Sequence, residues 1–283
     1  MPNLMKIIAH SLVKNEERYI WYSIMSVINY VDKILVWDTG STDKTPEIIE
    51  LIKQKYPQKI EYKECGDVTP DQYTVLRQKM LNETNSDWFM ILDGDEVWWE
   101  DSIKRVKGII EKNGKDLDSL VSRYFNIVGD IYHYQPQSAG NYLIDGKKGH
   151  FNIRFINRNI SGLYTAKPHG QHGYFDGKGI SIQEKYHKKR IYIDSPYLHF
   201  THMVRSSSLA KDREVIKRDI KYKYELGRSF AKDFYYPEVF FNEKPEIVNS
   251  VWENMNKGYY FLSIFQTPLK KIKRRIFPPA KGY

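Results

Sequence analysis

Residues 86–97 read Ser-Asp-Trp-Phe-Met-Ile-Leu-Asp-Gly-Asp-Glu-Val. The apolar run Trp88–Leu92 is too short for a helix and has the length of a strand covered on both faces. It passes directly into Asp93-Gly94-Asp95-Glu96, and Gly94 permits a sharp bend there. Two carboxylates one residue apart repel each other unless a cation neutralises them. Hard oxygen ligands suit Mg²⁺ or Mn²⁺, either of which also grips a diphosphate. A bare Asp-Gly-Asp is commonly a solvated turn. This one ends a buried strand, and that context points to a metal turn.

The same pattern repeats upstream of that stretch. Met5–Val13 is an apolar strand followed by a helix. Asn15 can cap that helix, Glu16 and Glu17 suit its positive end, and Ile20, Ile24, Ile28 and Val31 form its stripe. Lys33–Asp38 is a second strand, and Thr45-Pro46 opens a second helix. Lys59–Lys63 is a weaker strand, Asp71–Asn82 a helix, and Ile103, Val106, Ile109 and Ile110 mark another helix. Strands alternating with helices imply an α/β fold with a mostly parallel sheet, whose ligands bind beyond the carboxyl ends of the strands. That rim collects Asn15, Asp38, Asp93 and Asp95. Beside Thr39-Gly40-Ser41, Asp38 can accept from a base N–H or a ribose hydroxyl, or it can organise the turn; the residues alone leave both open.

Composition narrows the classes. In 283 residues, 41% apolar and 14% aromatic content excludes a disordered chain. The single cysteine, Cys65, excludes an internal disulfide framework and a cysteine-built zinc site, and suggests a reducing compartment. No apolar run approaches the ~20 residues that span a bilayer. The opening MPNLMKIIAHSLVKNEERYIW is broken by His10, Lys14, Glu16 and Glu17 and does not read as a secretory leader, so a cytoplasmic location is expected. The net charge of +9 is unevenly placed: Lys270, Lys271, Lys273, Arg274, Arg275 and Lys281 close the chain without an acid, and Lys185, Lys188, Lys189 and Arg190 form a second cluster. Such runs attract phosphates or merely solubilise. Ile272 and Ile276-Phe277 interleave with the terminal cations, which suits peripheral contact with an anionic membrane at its inner face.

A nicotinamide-binding sheet would show G-x-G-x-x-G after its first strand, where this chain has Lys14-Asn15-Glu16. A sugar nucleotidyltransferase would show a glycine-rich basic loop there. No nucleic-acid motif accompanies the charge, and nucleic acid is not an expected partner.

Three segments, IIAHSLVKNEERYI (7–20), ILVWDTGSTDKTPEII (34–49) and SDWFMILDGDEVWW (86–99), together resemble the nucleotide-sugar half of glycosyltransferase family 2. The resemblance covers about residues 5–115. It implies a GT-A fold, a mostly parallel sheet flanked by helices with a helical C-terminal extension. It further implies a metal-dependent inverting transferase of the hexosyltransferase type, moving sugar from a nucleoside-diphosphate-sugar, a UDP-sugar being favoured, to a hydroxyl of a glycan or lipid-linked acceptor. Asp38 matches the aspartate that reads the base, and Val13, Asn15 and Glu16 match the turn against base and ribose. Asp93 leans toward ribose or metal, Asp95 binds the Mn²⁺ or Mg²⁺, and Arg77 falls where relatives often carry a basic residue near the donor. The competing reading is a non-catalytic nucleotide-sugar or nucleic-acid-binding module.

The chain divides into a nucleotide-sugar half (1–115), an acceptor half of the same domain (116–205) and a helical basic extension (206–283). Residues 119–128 and 151–158 have strand character, Arg154 and Arg158 sharing one face of the latter. Residues 166–179 form a glycine- and histidine-rich binding loop. Some relatives carry a His-Glu pair there; here His169 and His172 are each followed by glycine. Candidates for the base that deprotonates the acceptor are Asp145, His169, His172 and Asp176, with Asp145 and His172 foremost. Asp145 also reads as a β-turn residue. Tyr197–His202 is strand-like; the resemblance implies a late histidine at the metal or diphosphate, His199 as a further metal ligand or else His202, and either also reads as a packed histidine at a strand end. Residues 207–226 look helical, and Phe234–Trp252 would cover the acceptor groove or make the contact of a homo-oligomer.

Overall fold

The computed structural model describes residues 5–168, 172–184 and 189–276. The first half alternates as expected: β1 (Ile7–Val13), α1 (Ile20–Val27), β2 (Lys33–Asp38), α2 (Thr45–Lys55), β3 (Ile60–Glu64), α3 (Pro70–Glu83), β4 (Trp88–Ile91), β5 (Glu96–Trp98) and α4 (Glu100–Asn113). All seven residues of β1 are buried, as a continuous apolar run requires in a sheet covered on both sides. The α4 stripe Ile103, Val106 and Ile110 is buried as its spacing predicts.

The second half contributes β6 (Ser119–Val128), β7 (Asp130–Tyr134), β8 (Tyr142–Ile144), β9 (Lys147–Gly149), β10 (Phe151–Asn157), β11 (Tyr164–Ala166), β12 (Gly173–Phe175), β13 (Arg190–His199), α5 (Leu209–Arg213), β14 (Arg228–Ser229) and α6 (Lys257–Ile276). Ten strands form one sheet along the path β3-β2-β1-β4-β10-β6-β7-β14, with β13 joining β6 to β5. Pairing is parallel from β3 to β4. It turns antiparallel at β10 and between β6 and β7, so the sheet is mixed beyond its first half. The cause is local: Gly129, at φ +83°, joins β6 to β7 in a hairpin where no crossover helix intervenes.

Register places the site. Val13 lies beside Asp38, and His10 beside Ile91, so β1, β2 and β4 release their chains at one edge. β13 brings His199 beside Glu96 on one side and Asn126 on the other. The strand expected at 197–202 in fact begins at Arg190 and ends at His199.

Three expectations are corrected. The helix expected over 207–226 is reduced to α5 and a single 3₁₀ turn at Asp219–Lys221. Asp212 is drawn inward to accept from the Arg205 and Ser206 amides, Arg218 turns in to the carbonyls of Lys14 and Asn15, and Lys217 takes φ +60°. The thin stripe of Leu209, Ile216 and Ile220 loses to these buried ion pairs, and Ile216 and Ile220 stay exposed. Asn15 does not cap α1, which starts at Ile20. It adopts φ +52°, and its Oδ1 accepts from the Thr42 amide at 2.7 Å. Thr45 likewise uses its hydroxyl to accept from the Glu16 amide at 2.7 Å. Residues 234–252 do not cover the cleft described below. They pack Tyr236, Val239 and Phe240 into the main core, with the Phe240 ring 5.2 Å from Tyr22. Among the basic residues, Lys185, Lys188 and Lys281 lie outside the described residues, as do His169 and Phe277.

Candidate active site

Beyond the carboxyl ends of β1 and β4 opens a cleft of ≈ 1250 Å³. Val13, Glu16, Arg77, Asp93, Asp95, His172 and His199 all line it. Gly94 sits between the two aspartates against Val13 and Glu16, so the turn packs directly on the loop after β1.

One oxygen each from Asp93 and Asp95 and one ring nitrogen of His199 lie within 4.8 Å of one another. The acids are held ionised by guanidinium groups. Arg154 Nη2 donates to Asp93 Oδ2 at 2.9 Å, and Arg77 approaches Oδ1 at 3.5 Å. Burial alone would raise the Asp93 carboxyl, but Arg154 and Arg77 outweigh it and bring it to about 2. Burial opposes ionisation of Asp95 too, yet Arg205, 2.7 Å from its Oδ2, and His199 hold it well below the usual range. Asp95 Oδ1 and His199 Nδ1 are buried without a hydrogen-bond partner. Ionised oxygens, an imidazole nitrogen and an unengaged buried carboxylate oxygen fit a divalent cation.

The other residues expected on the nucleotide side lie near the same sheet edge. Asp38 is buried behind Thr39, which lines the cleft. Its Oδ1 accepts from the Ser41 amide at 2.8 Å, and its Oδ2 has no partner. Burial raises its carboxyl. The turn-organising reading of Asp38 is seen at Oδ1, and Oδ2 is buried without a hydrogen-bond partner. Asn15 is fully buried and does not line the cleft; its amide donates to Ser41 Oγ and its Oδ1 accepts from the Thr42 amide, which ties the loop after β1 to the turn after β2. Arg77, expected as either a donor contact or an exposed helix arginine, is 1% exposed and also donates to Tyr73 Oη at 3.0 Å.

The two foremost base candidates separate. His172 lines the cleft with its ring edge-on to Tyr73 at 5.3 Å. Asp145 sits at φ +49° in the turn between β8 and β9, paired with Arg190 at 2.6 Å and away from the cleft lining, which matches its β-turn reading. Asp176 organises its own turn, accepting from the Lys178 and Ile180 amides at 2.9 and 3.0 Å.

Three arginines missed in the sequence complete the site. Arg154 bridges Asp93 and the fully buried Glu96, and donates from Nε to Tyr197 Oη at 3.2 Å. Arg205 and Arg218 converge on Glu16 at 3.2 and 2.6 Å, while burial pushes that carboxyl up to about 8 against them. Arg154 left a signal, an arginine in a strand whose neighbours are apolar, which implies a buried counter-charge. Arg205 and Arg218 left none.

A mixed α/β sheet flanked by helices, with an acid- and arginine-lined cleft beyond its parallel strand ends, is the GT-A arrangement. The family model described as glycosyl transferase family 2 matches residues 12–175, more than half of the chain and well past residue 115, and the chain belongs to that family. Among solved structures it is similar to TarS 1–349 of S. aureus, at 13% identity and TM-score 0.47, covering 70% of this chain and 61% of that one. For the same protein in complex with UDP-GlcNAc the identity is 13%, the TM-score 0.49 and the coverages 69% and 58%. The mannosyltransferase PcManGT from Pyrobaculum calidifontis, in complex with GDP-Man and Mn²⁺, is 15% identical at TM-score 0.38, with coverages of 55% and 45%. The chain thus spans about three fifths of the TarS 1–349 chains it resembles. No curated protein matches it.

Proposed function

We propose that the protein is a metal-dependent inverting glycosyltransferase that takes a sugar from a nucleoside-diphosphate-sugar, a UDP-sugar first among them, and delivers it to a hydroxyl of a glycan or lipid-linked acceptor. The observation that carries this reading is the convergence of Asp93, Asp95 and His199 on one point of the cleft, in a chain of family 2. These three residues would hold Mn²⁺ or Mg²⁺, which when bound neutralises charge on a diphosphate leaving group. The Asp38 carboxylate, whose Oδ2 has no hydrogen-bond partner, would accept from a base N–H, and the Val13–Glu16 turn, of which Val13, Lys14 and Glu16 line the cleft, would lie against base and ribose. Arg77 and Arg154 keep Asp93 ionised, so this carboxylate needs no deprotonation step at neutral pH. Of the two foremost base candidates, His172 is the one in the cleft, and we assign it the proton of the acceptor hydroxyl.

The test follows release of nucleoside diphosphate from UDP- and GDP-sugars with Mn²⁺ and with chelator, and the anomeric configuration of the product. Turnover should require the ion, the product should be inverted, and His172→Ala should slow transfer by roughly 10²- to 10⁴-fold with donor affinity kept. A product of retained configuration, or full turnover in chelator, would contradict the reading.

A further inference from the structure

Helix α6 lies with its polar side inward. Its buried residues are Tyr259, Ser263 and Thr267, and the bonds on this side run to residues 223–226. Leu226 donates its amide to Thr267 Oγ1 at 2.8 Å, Lys270 donates to the Tyr224 carbonyl at 2.6 Å, and Arg274 forks onto Glu225 at 2.5 and 2.6 Å. The opposite side is apolar. Phe261, Phe265, Leu269, Ile272 and Ile276 recur at steps of four, four, three and four, which aligns them in one stripe, and all are exposed, Phe265 by 73% and Leu269 by 67%. A helix on a globular surface normally buries such a stripe, and a large exposed one marks an interaction surface.

Charge decides between occupants. The helix has no Asp or Glu, while exposed Lys271, Lys273 and Arg275 border the stripe. A second copy meeting this face would bring the same cations and no acid to answer them. An anionic lipid surface answers both the stripe and the cations. No helix among the described residues is long and apolar enough to cross a membrane, so this contact would lie in the interface plane. The cleft opens at the same place: Lys270, Lys273 and Arg274 line it, as do Ile216 and Ile220, which are themselves exposed.

We propose that α6 seats the protein on an anionic membrane, the stripe Phe261–Ile276 entering the headgroup boundary and the bordering cations meeting lipid phosphates. The acceptor then reaches the cleft from the bilayer as the headgroup of an amphiphile; this last step rests on the transfer reading above.

Flotation of the full chain with vesicles of phosphatidylglycerol and phosphatidylcholine in equal parts, and of phosphatidylcholine alone, tests the docking. The protein should float with the anionic vesicles, at least tenfold less with the neutral ones, and less as salt rises. Phe265→Glu with Leu269→Glu should abolish flotation, and Lys271→Glu with Arg275→Glu should reduce it at least tenfold. All four positions are exposed, so unchanged melting curves are expected and confirm folding. Equal flotation of the Phe265/Leu269 variant, or indifference of the unaltered chain to anionic vesicles, would overturn the proposal. So would a dimer in sedimentation velocity that this variant splits, with no vesicle binding. Asp95→Ala should float like the unaltered chain, so membrane binding and nucleotide binding are read separately.

Discussion

Arg154 joins two parts of the chain at a single guanidinium: it rides on β10, yet its partners are Asp93 in the turn after β4 and Glu96 at the start of β5. Such a group, nearly lost to solvent, is tolerable only because both acids meet it. His10 shows the opposite solution. It is fully buried in β1, stacked on Phe89 at 4.9 Å and bonded to Thr84, and burial, helped by Arg77, lowers its pKa to about 3. The unfolded chain takes up this proton near pH 6.5 and the native state only near pH 3, so the stability from neutral His10 is whole above pH 6.5 and is lost as pH falls toward 3. Between pH 7 and pH 5 the loss should be about 2 kcal/mol. Urea unfolding of His10→Leu should show a pH dependence shallower by that amount over the same interval. Equal slopes in the two proteins would show that His10 is not held neutral.

At the scale of elements, the turn after β4 is locked against the loop after β1. A Cβ on Gly94 would stand 2.8 Å from Glu16 Cγ and 3.2 Å from Val13 Cγ1, and Arg205 and Arg218 leave Glu16 no room to withdraw. Gly94→Ala should therefore displace Asp93 and Asp95, lowering kcat/KM by about tenfold or more, with only a few degrees lost in melting temperature. Full activity in this variant would show that the turn need not be held where it is. The strands and helices of the first half were legible because each buries a face whose period is written in the sequence, as in Ile103, Val106 and Ile110. Asp93 and Asp95 were legible because the run before them ends so abruptly. The segment 207–226 was not, since its form is set by Asp212 and Arg218 reaching across the fold, and pairing over that distance leaves no periodic trace. α6 was half legible: the cations and isoleucines were visible, but which side faced inward depended on Glu225 and the carbonyls near it.

Across the whole molecule, one sheet carries both halves of the site. β10 pairs with β4 and β6 and brings Arg154, while β13 pairs with β5 and β6 and brings His199 beside Glu96. The acids thus come from the first half, and several of the groups that tune them come from the second. Binding at this junction should stabilise the whole fold, since a ligand of the native state alone raises its apparent stability by mass action. The most direct measurement is therefore a thermal-shift series with UDP, GDP and other nucleoside diphosphates, with and without Mn²⁺, on the unaltered chain and on Asp95→Ala. The account predicts that one diphosphate raises the melting temperature in the presence of Mn²⁺ and that the shift disappears in Asp95→Ala. The same shift in both proteins, or none with any nucleotide, would contradict a metal-assisted diphosphate site at Asp93 and Asp95.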